Sequence, residues 1–301
     1  MNYLDLLDNC NLCIRNCNVN RNDNKRGICN STNTVKVARA ALHYWEEPCI
    51  SGEKGSGTVF FSNCNLKCVF CQNHEISNDG FGKEISIERL ATIFMELQDK
   101  GANNINLVTP THFVPQIIEA LKIAKNNGLT LPIVYNTNSI DTLETIKALN
   151  GYIDVYLPDF KYFDDKYSFK YSKIKGYSQN AIPVIKEMVK QVGSPKFNNK
   201  GILIKGVIVR HLLLPGLLFD SKKVVDAIYN NFGDEVYISL MNQYTPMNNS
   251  KLYPEINKPI NPKVYDSLID YAISIGVKNG FMQESGTNSK TFVPEFNNEG
   301  V

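Results

Sequence analysis

Eight cysteines, Cys10, Cys13, Cys17, Cys29, Cys49, Cys64, Cys68 and Cys71, all lie in the first 71 residues of a 301-residue chain. Such crowding needs a cause, either disulfides or metal ligation. The opening MNYLDLLDNC lacks a basic stretch followed by an apolar run, so no secretory signal is read, and a reducing cytoplasm disfavours structural disulfides. Metal or iron–sulfur chemistry is the leading explanation. The sharpest grouping is Cys64-Asn-Leu-Lys-Cys68-Val-Phe-Cys71, spaced C-x3-C-x2-C. Three thiolates on so short a loop can converge on one [4Fe–4S] centre and leave one iron open to a substrate or cofactor. A structural zinc would need a fourth ligand, which Cys49 or His74 could supply.

A second grouping reads Cys10-x2-Cys13-x3-Cys17-x11-Cys29. It can close a zinc tetrahedron or hold a second iron–sulfur cluster, and both readings stand. Ten of the first 33 residues are asparagine, which favours turns over helix interiors and leaves little to bury. A metal at these four cysteines would hold such a segment in shape. Cys49 is left over and reads as a small buried hydrophobe.

The elements that must position these thiols follow from Thr58 onward. Short β-branched apolar runs at 58–62, 104–108, 132–136, 153–157, 202–209 and 236–241 alternate with amphipathic runs at 87–99, 113–126, 141–149, 181–191, 221–230 and 262–275. Strands apolar on both faces, alternating with helices, predict a parallel sheet wrapped by helices. The expected fold is α/β, a partial (β/α)6 TIM-like barrel spanning residues 51–301, with a cysteine-rich appendage at 1–50. Residues 35–45 read as a helix or strand joining the two. In such folds ligands collect at the carboxyl ends of the strands. Those tips include Asn63 to Asn73, Thr109-Pro110-Thr111-His112, Pro158-Asp159-Phe160-Lys161 and Arg210-His211, and all are polar.

Composition narrows the function. With 32 basic against 30 acidic side chains, no general positive field calls for nucleic acid or an anionic membrane. The longest apolar stretch, near Leu212 to Phe219, is broken by Pro215 and Gly216 and is too short to span a bilayer. A cytoplasmic, monomeric protein is expected. Gly55-Ser-Gly57 precedes its strand and lacks a third glycine, so it does not read as a phosphate loop.

The C-x3-C-x2-C loop after the first strand of a βα repeat, with Phe70 before its last cysteine, resembles the radical S-adenosylmethionine superfamily. Within it the chain is similar to the glycyl-radical activating enzymes, the pyruvate formate-lyase activating-enzyme-like set. That likeness is carried by Ala38 to Gly52 (ARAALHYWEEPCISG), Gly55 to Thr58, the cluster loop through Ser77, Thr109 to His112, Pro158 to Tyr162, and Val209 to Leu212 with Leu214-Pro215-Gly216. The resemblance implies that Cys64, Cys68 and Cys71 ligate a [4Fe–4S] cluster. It further implies that S-adenosylmethionine binds the open iron, and that one electron from a flavodoxin- or ferredoxin-type donor cleaves it to a 5′-deoxyadenosyl radical. Cofactor contacts are expected from Phe70, Thr109, Pro110, Thr111, Asn136, Asp159, Lys161 and His211. Thr109 to Thr111 stand where the family usually carries a glycine-rich acidic motif. The implied substrate is a glycyl-radical protein, with a small molecule or another peptide as the alternative and an anaerobic setting for the exposed iron. From a different class, a non-enzymatic iron–sulfur or zinc protein would need four ligands at each centre.

Overall fold

The computed structural model describes residues 2–283 and 294–301. Among these residues ten strands form: β1 (Val35–His43), β2 (Ser56–Phe61), β3 (Lys83–Ile85), β4 (Ile105–Val108), β5 (Ile133–Thr137), β6 (Val155–Pro158), β7 (Lys196–Phe197), β8 (Leu203–Leu212), β9 (Tyr237–Met241) and β10 (Gly280–Met282). Their order in the sheet is β10-β9-β8-β6-β5-β4-β2-β1-β3, with β7 paired to β8. Along that order every pairing from β10 to β2 is parallel, whereas β7 runs antiparallel to β8. Helices at Ile87–Asp99, Val114–Asn126, Leu143–Ala148, Tyr177–Val192 and Leu218–Phe232 make the crossovers. Ser86 and Thr142 cap two of them by accepting from Arg89 N and Thr145 N, which satisfies donors that a helix start leaves free. The result is the expected partial barrel, extended by β10.

Strand alternation sorts the side chains. Leu107, Tyr135, Tyr156, Val207 and Val209 join the large core under the helices. Val134, Val155, Leu157 and Ile208 face the other way and pack with Cys49 and Ile50. The short turn Pro48–Ser51 thus plugs the floor of the barrel. Its carbonyls are satisfied from the strand edge, Asn104 Nδ2 donating to Ile50 O at 2.8 Å and Asn103 Nδ2 to Ser51 O at 2.7 Å. Burial, with Glu47 adding to it, pushes the Cys49 thiol up to about 12. Cys49 is a packing residue, far down the barrel from the other thiols' loop.

One open alternative closes and two expectations change. Residues 35–43 are a strand, antiparallel to β2, so the sheet begins well before residue 50. Strand β8 continues to Leu212, past the expected end at Val209, so Arg210 and His211 still alternate as strand residues. The N-terminal segment is also held by more than its cysteines. Leu7, Leu12 and Arg21 are buried, and Arg21 Nε donates to Thr32 O at 3.1 Å while its guanidinium lies 5.7 Å from the Phe113 ring centroid. Ile14 N–H donates to Ile140 O at 3.0 Å beside a Cys13–Asp141 bridge. The asparagines serve the turns: Asn16, Asn18, Asn24 and Asn30 all take positive φ, a region that asparagine tolerates.

Candidate active site

At the carboxyl ends of the parallel strands lies a cavity of about 230 Å³, lined among others by Cys64, Cys68, Cys71, Thr109, Asn136, Asp159, Lys161 and Arg210. The cysteine loop follows β2 and is pinned where Val69 N–H donates to Tyr171 O at 2.9 Å. Each thiol has its own side-chain neighbour. Asn138 Nδ2 donates to Cys64 Sγ at 3.6 Å, Ser172 Oγ lies 3.0 Å from Cys68 Sγ, and Ser77 Oγ lies 3.2 Å from Cys71 Sγ. Burial, with Cys68 and Cys71 adding to it, pushes the Cys64 thiol up to about 12. Burial raises Cys68 as well, against the opposing pull of Lys161. Buried thiols such as Cys64 and Cys68 need a cationic core before they can ionise together, and that is what an iron–sulfur cluster provides.

Among the described residues no three His, Cys, Asp or Glu side chains are grouped as ligands of a single metal ion. Cluster ligands sit on separate irons and are under no such requirement. The structural-zinc alternative loses both proposed fourth ligands. Cys49 is at the barrel floor, and His74 Nδ1 lies 3.2 Å from Asp79 Oδ2, away from the cavity.

Opposite the thiols stands a buried charge network. Arg210 Nε donates to Asp159 Oδ1 at 3.2 Å and its NH1 to Glu46 Oε2 at 3.0 Å, while NH2 donates to Asn136 Oδ1. Lys161 Nζ reaches Asp159 Oδ2 at 2.6 Å, and Asn106 Nδ2 donates to Glu46 Oε1 at 3.0 Å. Burial alone would raise the Asp159 carboxyl, but Lys161 and Arg210 beside it hold it below the usual range. Burial likewise opposes the charge on Lys161, and Asp159 and Cys68 restore it. The fully buried Tyr177 ties the strand tips together, its hydroxyl donating to Asp159 O at 2.8 Å and accepting from Lys161 N at 3.0 Å.

The structure brings Cys64, Cys68, Cys71, Thr109, Asn136, Asp159 and Lys161 to one cavity. Thr109 lines it with φ at +56°, a left-handed conformation that strains a β-branched residue and is characteristic of functional sites. Pro110 and Thr111 do not line it; Thr111 is fully buried, 3.4 Å from the Thr137 hydroxyl. Phe70 packs edge-on against Tyr244 outside the cavity. His211 points the other way, its Nδ1 2.7 Å from Phe160 O and its Nε2 2.8 Å from Ser221 Oγ. Arg210 lines the cavity and His211 does not, because neighbouring strand residues face opposite sides.

Burial pushes the His211 pKa down from 6.5 to about 4, and that of His43 similarly. Between those values the unfolded chain binds more protons than the folded one. Stability is therefore whole above pH 6.5 and falls as the pH drops toward 4, by about 1.4 kcal/mol per pH unit for each ring. A falling thermal midpoint over that range is the expected outcome, and a flat one contradicts it.

The four N-terminal cysteines also meet. Cys10, Cys13, Cys17 and Cys29 line one small enclosed cavity with Arg15, Arg21 and His112. His112 is buried, with Nε2 2.9 Å from Ser62 O, and it orients the segment between the two cysteine sets. Among the described residues no helix is long and apolar enough to cross a membrane.

Residues 58–228 match the family model of the Radical SAM superfamily. An uncharacterized protein of Methanocaldococcus jannaschii, MJ0674, is 32% identical over 278 residues, covering 89% of this chain and 75% of that protein. The pyruvate formate-lyase-activating enzyme of Clostridium pasteurianum is 25% identical over 181 residues, 57% of this chain and 67% of the enzyme. SuiB of Streptococcus suis, solved with its precursor peptide SuiA, matches with a TM-score of 0.51 and 16% identity over 75% of this chain and 47% of SuiB. Its S-adenosylmethionine-bound form gives 0.51 and 17% over 75% and 49%. The chain thus spans about half the length of these solved structures, and the likeness to them is one of fold. With a family match over most of the barrel and three cysteines meeting at its mouth, the chain belongs to the Radical SAM superfamily, whose members use a [4Fe–4S] cluster and S-adenosylmethionine.

Proposed function

We propose that this chain cleaves S-adenosylmethionine reductively in the barrel cavity and forms a glycyl radical on a partner protein. The carrying observation is that Cys64, Cys68 and Cys71 face the same cavity as Asp159, Lys161 and Arg210. When bound, a [4Fe–4S] cluster with one open iron supplies the one-electron cleavage, and the protein has only to place the reactants. In this reading Cys64, Cys68 and Cys71 ligate three irons, and the donors Asn138, Ser172 and Ser77 set the electron density on their sulfurs. S-adenosylmethionine presents an ammonium and a carboxylate. Asp159, Glu46 and Asn136 offer acceptors to the first, and Lys161 and Arg210 offer charged donors to the second. Phe60, Leu66 and Val108 supply apolar wall, which keeps water from a reactive intermediate.

A polypeptide substrate is favoured by the shape of the opening and by the activating-enzyme relative. Past Trp45, Glu46, Arg210 and Gln243 the cavity continues into a second one of about 560 Å³, lined by Tyr44, Met241 and Phe281. That is room for an extended loop beside the site, between the Pro48–Ser51 turn and strands β9 and β10. The test uses a glycyl-radical protein from the same organism, grown on α-deuterated glycine, with the reduced enzyme and S-adenosylmethionine. Deuterium in the 5′-deoxyadenosine is expected, together with a glycyl radical EPR signal that is a doublet on unlabelled protein and collapses to a single line on the deuterated one. Unlabelled 5′-deoxyadenosine and no glycyl signal would overturn the polypeptide reading.

A further inference from the structure

The N-terminal cysteines stand against the barrel loop. Cys13 bridges to Asp141, and Thr142 N–H donates to Leu12 O at 3.1 Å, so the segment docks on the loop that carries Asn138. Asn138 Nδ2 in turn reaches both Cys64 Sγ and, at 2.8 Å, Asn65 Oδ1. Asn65 is fully buried, and its Nδ2 has no fully formed hydrogen bond among the described residues. It nevertheless lies close enough to Cys13 to favour the thiolate. The residue next to Cys64 therefore keeps an unspent donor beside Cys13. Arg15 bridges the same gap: its Nε donates to Asn65 O at 3.0 Å, and the sulfurs of Cys13, Cys64, Cys17 and Cys68 all act on its guanidinium.

The grouping of the four cysteines discriminates between a single ion and a cluster. A tetrahedral zinc draws each sulfur to about 2.3 Å from one point, and among the described residues no three His, Cys, Asp or Glu side chains are grouped as ligands of a single metal ion. Ligands on the separate irons of a cluster are under no such requirement. Cys10, Cys13, Cys17 and Cys29 do line one small enclosed cavity. Donors already ring it. Ile28 N–H reaches Cys17 Sγ at 3.4 Å, Arg21 lies 3.9 Å from Cys10 Sγ, and buried His112 keeps an unpartnered Nδ1 on the same wall. Gly27 belongs to this fit, since a Cβ there would meet Cys17 Sγ at 2.8 Å.

We propose that Cys10, Cys13, Cys17 and Cys29 hold a second iron–sulfur cluster, adjacent to the one at Cys64, Cys68 and Cys71, through which electrons reach the barrel. The balance is simple: one electron arrives from a low-potential flavin or iron–sulfur donor, one leaves for the barrel centre, and no proton moves. The advantage is access. A barrel centre facing a cavity filled by cofactor and substrate is shielded on that side, whereas the N-terminal segment exposes Asn11, Lys25, Arg26 and Ile28 at the surface.

This inference rests on the proposed use of the barrel cysteines, so the test reads the two centres separately. Protein purified without oxygen should hold about eight irons and eight sulfides per chain, as two [4Fe–4S] clusters require. A Cys64→Ser/Cys68→Ser/Cys71→Ser variant should keep about four of each, and so should Cys10→Ser/Cys13→Ser. The fully reduced wild type should show an EPR spectrum broadened by coupling between two spins, and either variant a simple one. In Cys10→Ser/Cys13→Ser the remaining centre should still respond to S-adenosylmethionine but accept electrons from reduced flavodoxin at least about tenfold more slowly, the expected loss when a relay is removed. About four irons with one zinc in the wild type would overturn the second cluster, and two uncoupled clusters would overturn the relay. Loss of all iron in the triple variant also counts against the second cluster, and this answer stands even if the double variant fails to fold. A remaining centre that ignores S-adenosylmethionine in the double variant would count instead against the barrel reading.

Discussion

Serine in place of Cys64, Cys68 and Cys71 together is expected to remove about four irons per chain and to drop 5′-deoxyadenosine formation to background. The effect is total because no other group in the cavity can carry the electron. The neighbours Asp159, Lys161, Arg210 and Asn136 bind and orient, and none has a redox couple. A graded series should separate ligation from tuning. Ser172→Ala and Ser77→Ala each remove a hydroxyl lying about 3 Å from a sulfur while leaving the ligands in place, so iron should stay bound and activity should fall about 10- to 100-fold, the usual cost of losing a ligand's hydrogen-bond partner. Metal analysis and a 5′-deoxyadenosine assay on the same preparations check both. Retained cleavage in the triple serine variant would contradict the assignment of these thiols.

The second large effect is expected at Arg210. Its side chain is 12% exposed and bridges Asp159 and Glu46, which are 15% and 11% exposed. Glu47 lies 4.0 Å away, and burial raises its carboxyl. Arg210→Met would leave this acidic group without its shared cation, a loss of about 3–5 kcal/mol, or a thermal midpoint lower by roughly 5–15 °C for a domain of this size. Arg210→Lys should recover only part, because an ammonium cannot span Asp159, Glu46 and Asn136 as the planar guanidinium does. Adding Glu46→Gln to Arg210→Met, with Asp159 kept as the partner of Lys161, should restore part of the stability but none of the cofactor binding. Calorimetry paired with S-adenosylmethionine titration separates the two, and an unchanged midpoint in Arg210→Met would show that the network is not structurally important.

What could be read from the sequence was local. The C-x3-C-x2-C loop is a spacing, and spacing survives without coordinates. The six parallel strands were legible because strands buried on both faces, such as β2 with every residue covered, read as continuous apolar runs. Residues that reach the site from other elements could not be singled out in this way, even where, as with Glu46 and Ser77, they lie inside stretches that carry the family likeness. Ser172 arrives on the helix Asp165–Ser172, Ser77 ends the turn His74–Ser77, and Glu46 hangs from the loop after β1. Each is an ordinary polar residue in its own neighbourhood. Arg210, which lines the cavity, and His211, expected at the cofactor, are strand neighbours, and a one-residue step moves a side chain to the opposite face. Phe70, expected at the cofactor from its place beside Cys71, has its ring packed edge-on against Tyr244. The asparagines announced the turns of the appendage, but the buried Arg21 that anchors it looks in sequence like any basic residue in a polar stretch.

The central claim is that Cys64, Cys68 and Cys71 hold a cluster with one iron open to S-adenosylmethionine. It is tested most directly by reducing the anaerobically reconstituted protein and recording its EPR spectrum before and after adding the cofactor, then assaying the same sample for 5′-deoxyadenosine. The account predicts a shifted spectrum and a product that depends on reductant. An unchanged spectrum with no 5′-deoxyadenosine would contradict it.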